Sequence, residues 1–472
     1  MARTELLVWL ALCASACASS SIGSDISRVR TLSKAASLPH VDRAEVELIS
    51  DKDVHGLLGA PLTEATAVRI ALLNNRDLRA ELRELGVSRG RLMQAGLLAN
   101  PTFELELLPE RESDYELRVE YDVSSLILAP LSARAAGAEL EAHRFQVAGS
   151  VVELGYQVRS AFYALAAAEQ RLSYAQRTLD ALTAGRDAAL ALLAAGNVPV
   201  LEASRQIVAY ESARIEVAKI ELAVADRREQ VQRLLGLYGT DTEWRIAHGF
   251  ADIPAELSLP AQLETKALAA SLELKAIERR LDAAGHRTGV ARATALIPDV
   301  AVDFHALHAN ADAHDRDEKS WRYGGGVSVG VPVFNRQQGR QRIAEAEFDV
   351  LLERQQALAI ELRSHAREVQ NHVRSAHARV RAYETTLVPA QHSVMEQTLL
   401  MYNAMQLGVF ELLAARRGEL EIELAYVDAK AAYWEATAQL DALLAGKLVA
   451  SGDHAAERGG MSLQRTDSGQ GH

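Results

Sequence analysis

Cysteine is nearly absent from this 472-residue chain: the two present, Cys13 and Cys17, both lie close to the N-terminus. Beyond them no disulfide or cysteine-ligated metal centre is available. Aromatic residues reach only 5% and prolines number 11. With few helix breakers and abundant alanine and leucine, long helices packed through small side chains are expected. Long apolar runs are missing too. The longest, residues 6–18, is shorter than the roughly 20 residues of a spanning helix, which excludes a polytopic helical membrane protein. Basic residues are outnumbered, and the net charge of -12 argues against nucleic acid as a partner. There is no phosphate loop, no His-Glu-x-x-His and no strand-to-helix nucleophile turn, so neither enzymatic activity nor a cofactor is expected. What is present is a 49% hydrophobic, 24% charged composition of mixed sign, too apolar for bulk disorder and long enough for two or three domains.

The first residues read as an address. Arg3 precedes the apolar core Leu6-Leu7-Val8-Trp9-Leu10-Ala11-Leu12, and small residues Ala14-Ser15-Ala16 follow before Cys17. This is a secretory signal peptide in pattern. A cysteine after such a run resembles a bacterial lipoprotein box and makes Cys17 the candidate lipidated residue, although Ala14 stands where leucine is usual. Ordinary cleavage after Ala16 with an unmodified Cys17 is the alternative.

The body shows internal duplication. Val151, Val158, Leu165, Leu172 and Leu179 recur every seven residues, with Leu154, Ala161, Ala168, Ala175 and Leu182 three behind. The same double series returns at Ala366, Val373, Val380, Leu387, Val394 and Met401, with Val369, Ala376, Tyr383 and Ala390 behind it. Such heptads predict coiled-coil packing. Each series leads to a glycine turn, at Gly196 and at Gly408, and Leu201, Ala203 and Arg205 match Leu413, Ala415 and Arg417 at equal distances beyond. Proline spacing predicts long helices over 131–196 and 334–408, the second bent at Pro389, and half-length helices over 62–97, 200–238, 261–295 and 411–445. The expected form is an elongated helical shaft with an equatorial break.

Four segments alternate with a period of two: 102–107, 115–121, 300–306 and 327–333. One face is apolar and the other charged or small, which suits a membrane barrel strand as well as a half-buried soluble sheet. The signal peptide and the shaft favour the barrel. Four strands cannot close one, and an open edge in lipid leaves backbone groups unpaired, so oligomerisation is required. Three copies give about twelve strands, although the sequence does not force three over two or four.

Leu62-Thr63-Glu64-Ala65 with 71–78 (ALLNNRDL) resembles the opening helix of the TolC-type outer-membrane efflux proteins. Residues 97–101 (LLANP) are similar to that family's entry into its first strand, and 331–339 (VPVFNRQQG) to the exit from its last, in a form like the heavy-metal efflux branch. Residues 402–410 (YNAMQLGVF) resemble its second helical turn. The resemblance covers roughly 61–447. It implies an α+β fold: a long coiled-coil α-helical barrel, and four strands contributed by each chain to a trimeric twelve-stranded transmembrane β-barrel. The implied function is a passive outer-membrane exit duct for metal cations or small toxic solutes. Its implied partners are two further copies, outer-membrane lipid, a periplasmic adaptor protein and an inner-membrane pump, with the helical tunnel in the periplasm. The resulting division is a signal peptide over 1–16, an N-terminal linker over 17–60, a first efflux repeat over 61–240, an equatorial linker over 241–260, a second repeat over 261–447 and a disordered tail over 448–472. A type I protein-secretion channel and a periplasmic coiled-coil scaffold without a pore are the alternative functions.

Candidate site residues are few. Gly196 and Gly408 are expected to end long helices with the positive φ that glycine tolerates, and the resemblance implies that these turns form the periplasmic tip. Glu202 and Glu411 follow those turns. As rings of carboxylates they could select cations at a constriction, and as first-turn acids they could simply complement helix dipoles. His305, His308 and His314 with Asp312, Asp315 and Asp317 are dense enough to suggest zinc or copper, but the segment reads as a polar barrel loop and no metal site is assigned.

Overall fold

The computed structural model describes residues 22–34, 51–108, 114–247, 249–296, 299–312 and 315–449. These residues divide into two compact units. The first takes residues from 1–29, 81–147 and 273–359, and the second from 30–80, 148–272 and 360–472. Cys17, His314 and the 448–472 tail beyond 449 lie outside the described residues.

Two helices occupy the stretch expected to be a linker: α1 (Ile22–Ser33) and α2 (Asp51–Leu58). The apolar side chains of α1 are sparse, but Ile26 and Val29 are buried, so the helix is held by tertiary packing that no short window shows. Next come α3 (Glu64–Asn74) and α4 (Arg76–Gly96), in place of one helix over 62–97. Thr63 caps α3, its hydroxyl accepting from Thr66 N–H at 3.2 Å. The break falls at Asn75, whose φ of -60° and ψ of 123° are extended. Its side-chain oxygen accepts from Leu78 N–H at 3.0 Å and so starts α4, while its amide donates to Leu234 O at 3.0 Å.

β1 (Thr102–Leu108) and β2 (Asp114–Asp122) lead into α5 (Ser124–Ala194). The long helix was expected to begin at 131. It begins earlier because Asp122 Oδ1 accepts from Ser124 N–H at 2.9 Å, an N-terminal cap, and Pro130 is carried inside the helix. α6 (Val200–Leu235) then stops at Gly236, with φ of 68°. A Cβ there would sit 2.8 Å from Asn74 O, so only glycine lets this helix end pack on the α3–α4 break. The same arrangement closes the second half. α7 (Leu263–Ala270) and α8 (Leu272–Leu296) are broken at Ser271, and Gly446, at φ of 100° after α11 (Val409–Leu444), would place a Cβ 2.4 Å from Ala270 O.

β3 (Asp299–Asp312) and β4 (Asp315–Gly330) form a hairpin much longer than the alternation suggested. The presumed polar loop holding Asp312, Asp315 and Asp317 is strand up to the turn. The last strand ends at Gly330, not 333. Pro332 offers no N–H to a ladder, and Val333 N–H bonds Val331 O at 2.9 Å instead. α9 (Gln338–Ala382) and α10 (Val388–Asn403) are separated by one π-helical turn, Tyr383–Leu387. Pro389 cannot supply its helical hydrogen bond, and the wider turn absorbs the misfit where a bend had been expected. In the second unit Ala376, Val380, Ala429 and Tyr433 form a core with Ile253, Leu257 and Trp434 packed on it.

Candidate channel wall and helical turns

The sheet belongs to the first unit and runs β1-β2-β3-β4, antiparallel throughout. Its registers sort the side chains. Leu105, Leu117, Ala306 and Tyr323 share one row, Phe103, Val119, Phe304 and Gly325 another, and Tyr121, Val302 and Val327 a third. These rows are apolar, and Phe103, Leu105, Leu107, Tyr323, Val327 and Val329 on this face are all more than half exposed. Toward the hairpin end it becomes aromatic: Tyr115 stacks on His308 at 4.9 Å between ring centres, and Trp321 meets both. His308 is thus a member of a ring cluster, on the opposite face from His305. The strand's period thus keeps His305 and His308 apart, and among the described residues no group of three metal-ligating side chains forms.

The other face carries the charges. Glu104 pairs across to Arg118 and Glu120 to Asp303, with Arg118 opposite His305. Arg118 lies 3.1 Å from Glu116 and 3.9 Å from Glu104. His305 Nδ1 is 3.3 Å from Asp303 Oδ2. Both side chains lie flat over β4 because that strand presents glycine beneath them. A Cβ on Gly324 would meet the His305 ring at 2.3 Å, and one on Gly326 would meet Asp303 at 2.5 Å. The Asp303–His305 pair on its glycine bed was missed by sequence reasoning. The signal was there in Tyr323-Gly324-Gly325-Gly326, once the β4 strand is continued back through it.

The two helical turns belong to the second unit. At the first, Gly196 has φ of 72°; its N–H bonds Leu193 O at 3.0 Å and Asn197 N–H bonds Leu192 O at 2.9 Å. At the second, the residue in that position is Met405, not Gly408. Met405 has φ of 57°, its N–H bonds Tyr402 O at 2.9 Å, and Gln406 N–H bonds Met401 O at 2.9 Å. Gly408 has φ of -81° and precedes α11 as its N-cap, as Pro199 precedes α6. The reason given for Gly408 is therefore corrected: it starts a helix rather than ending one. Aligned on these caps, Glu202 and Glu411 are equivalent, each the third residue of its helix. Glu202 accepts from Gln206 at 3.0 Å, and a Cβ on Gly408 would meet Glu411 Oε2 at 2.7 Å, so Glu411 reaches back over the cap. α5, α6 and α11 meet here, since a Cβ on Gly185 would lie 3.0 Å from Leu413 and 3.5 Å from Gln206.

Farther along α11, buried Glu419 bonds Arg416 and lies 3.2 Å from His392 Nδ1. Burial first, and the Glu419 charge second, push the Glu423 carboxyl above its ordinary range, against Arg416, Arg177 and His392, which lower it.

Residues 263–446 match the family described as Outer membrane efflux protein, a stretch that includes the last strand's exit and the second helical turn. Over that stretch the chain is similar to outer-membrane efflux proteins. Among its relatives is the cobalt-zinc-cadmium resistance protein CzcC of Cupriavidus metallidurans, 24% identical over 389 residues, covering 81% of this chain and 90% of that one. Among solved structures, CusC is matched with a TM-score of 0.66 at 18% identity, over 81% of this chain and 91% of that chain. VceC of Vibrio cholerae is matched with a TM-score of 0.65 at 15% identity, over 82% and 97%. The fold, helix-rich with one small antiparallel sheet, is shared with these two solved structures.

Proposed function

We propose that three copies of this chain form an outer-membrane exit duct for divalent metal cations, working passively with a periplasmic adaptor and an inner-membrane pump. The observation that carries the reading is the two-faced, open-edged sheet. Among the described residues β1 pairs only with β2 and β4 only with β3, so each sheet has two unpaired edges that a bilayer cannot leave unsatisfied. Three such sheets close to about twelve strands, with the apolar face toward lipid, the aromatic rows at one interface and the charged face lining the lumen. The resemblance to the efflux family assigns the helices to a periplasmic tunnel. Its two repeats are supported by the Gly236–Asn74 and Gly446–Ala270 contacts and by the paired turns.

Metal cations are favoured as cargo by the lumen's chemistry. Glu104, Glu106, Glu116, Glu120 and Asp303 outnumber Arg118, Arg322 and His305 on the charged face. The resistance named for CzcC fits this excess of acid. Glu202 and Glu411 are assigned to a constriction at the periplasmic turns, and Cys17 to a lipid anchor that follows a cleaved 1–16 signal peptide.

Deleting the gene and measuring growth and cell-associated metal under cobalt, zinc and cadmium tests the reading. Lowered tolerance with raised cell metal is expected. Unchanged tolerance together with loss of a secreted polypeptide would overturn it in favour of protein export.

A further inference from the structure

A cavity of about 680 Å³ opens among four helices of the sheet-bearing unit. All four adjoin the sheet: α4 leads into β1, α5 follows β2, α8 leads into β3 and α9 follows β4. The cavity takes the sheet-proximal part of each. Ala95 is one residue from the end of α4 and Thr294 two from the end of α8, Gln337 directly precedes α9, and Ser132 lies eight residues into α5. At 1.5 Å per residue the lining extends along the helices for roughly 10–15 Å.

Two kinds of side chain line it. Ala135, Leu140, Val290, Ala291 and Ile343 give apolar walls, and the small alanines leave the space open. Arginines enter from three helices: Arg91 from α4, Arg287 from α8 and Arg340 from α9. Arg287 Nη2 donates to Glu139 Oε2 at 2.7 Å. Arg91 and Arg340 meet no carboxylate among the described residues, and the other acid of the lining, Glu347, is likewise unpaired. Three arginines against two glutamates leave the lining a net charge of +1. Next to the cavity, three of the helix–strand connections expose apolar side chains: Leu97 and Leu98 before β1, Leu126 and Ile127 after β2, and Val331, Val333 and Phe334 after β4. Phe334 is 92% exposed.

We propose that this cavity holds one glycerophospholipid per chain, taken from the leaflet at the foot of the sheet. Its phosphate sits between Arg91 and Arg340, and an acyl chain lies along the apolar walls toward the exposed collar. Guanidinium forks match phosphate oxygens, and apolar pockets of this size with a few convergent polar groups suit such a ligand. One phosphodiester charge balances the lining, whereas the unpaired arginines repel the metal cations proposed as cargo. The inference rests on the reading of the sheet as a membrane barrel.

The test extracts the protein from outer membranes in mild detergent, washes it extensively and counts retained phospholipid per chain by native mass spectrometry. The wild type is compared with Arg91→Gln/Arg340→Gln. A control, Arg83→Gln/Arg134→Gln, removes the same charge from exposed positions of α4 and α5 outside the cavity. A further variant, Ala291→Phe, fills the cavity and keeps both arginines. One phospholipid per chain is expected in the wild type and the control, with a several-fold loss in the arginine variant and in Ala291→Phe. A wild type that keeps no phospholipid would overturn the proposal, as would equal retention in the arginine variant. Retention of an amphiphile without phosphorus would overturn it in favour of a cargo site. If the arginine variant loses its helix signal in circular dichroism, retention by Ala291→Phe decides by the same criterion. Absence of the protein from the outer-membrane fraction refutes the barrel reading itself, and is seen before any lipid is counted.

Discussion

Single residues decide how the helices turn at the end of the second unit. Gly196 and Met405 occupy equivalent left-handed positions, yet only one is glycine. A side chain there costs about 1 kcal/mol or somewhat more. Met405→Gly should therefore stabilise the protein by about 1 kcal/mol, and Gly196→Ala should destabilise it similarly, both read from thermal unfolding of the purified protein. Gly408→Ala should be nearly neutral, because its φ is ordinary and the obstructing atom is the flexible end of Glu411. This separates the two glycines that the sequence presents as a pair. A glycine after a heptad series is a fair sign of a turn, but it does not say which of several nearby residues takes the left-handed position. Aligning on glycines shifted the two halves by three residues and hid the equivalence of Glu202 and Glu411. Those two acids test the constriction: Glu411→Gln should lower the preference for cations in single-channel recordings if the carboxylate lines the pore.

Glu423 gives a pH dependence whose sign follows from its burial. Its folded-state carboxyl titrates above the ordinary 4.5, so the folded chain keeps a proton that the unfolded chain has released. Stability then falls as pH rises from the unfolded value through the folded one. Glu423→Gln should raise the melting temperature at neutral pH and change it little below pH 4.5.

At the scale of elements, the sequence showed the strands through their period of two and the helices through their period of seven. Both signals are local, and both misplace ends. The hairpin of β3 and β4 runs through His305, His308 and Asp312 because backbone pairing continues after the apolar alternation gives way to polar residues. The breaks at Asn75 and Ser271 were invisible because neither residue is a strong breaker. Each break is imposed by a glycine-ended helix packing on it from far along the chain. Pro130 misled in the other direction, since the cap at Asp122 sets the helix start. The most informative element is α6. Leu201, Val208, Ile215 and Leu222 recur every seven residues, and the least exposed of the four is still 56% open to solvent. Four residues of a coiled-coil seam left exposed among the described residues are where the proposed trimer would seat a neighbouring copy. Ile215→Lys with Leu222→Lys should leave the far-ultraviolet helix signal intact and shift the detergent-extracted protein from oligomer to monomer on size exclusion.

For the whole molecule, composition argued largely by exclusion: too few cysteines for a stapled scaffold, no spanning helix, too acidic for nucleic acid. The proposed duct is legible only through the combination of an apparent signal peptide, heptad duplication and four two-faced strands. The Asp303–His305 pair and the arginine-lined cavity were not legible, because each joins residues whose environment is set by other strands or helices. The central claim is that three chains complete one barrel. Native mass spectrometry of the protein extracted by detergent from outer membranes tests it most directly. The account predicts a particle of three chains that stays intact on mild activation; a monomer, or an oligomer whose strand count cannot close a barrel, would contradict it.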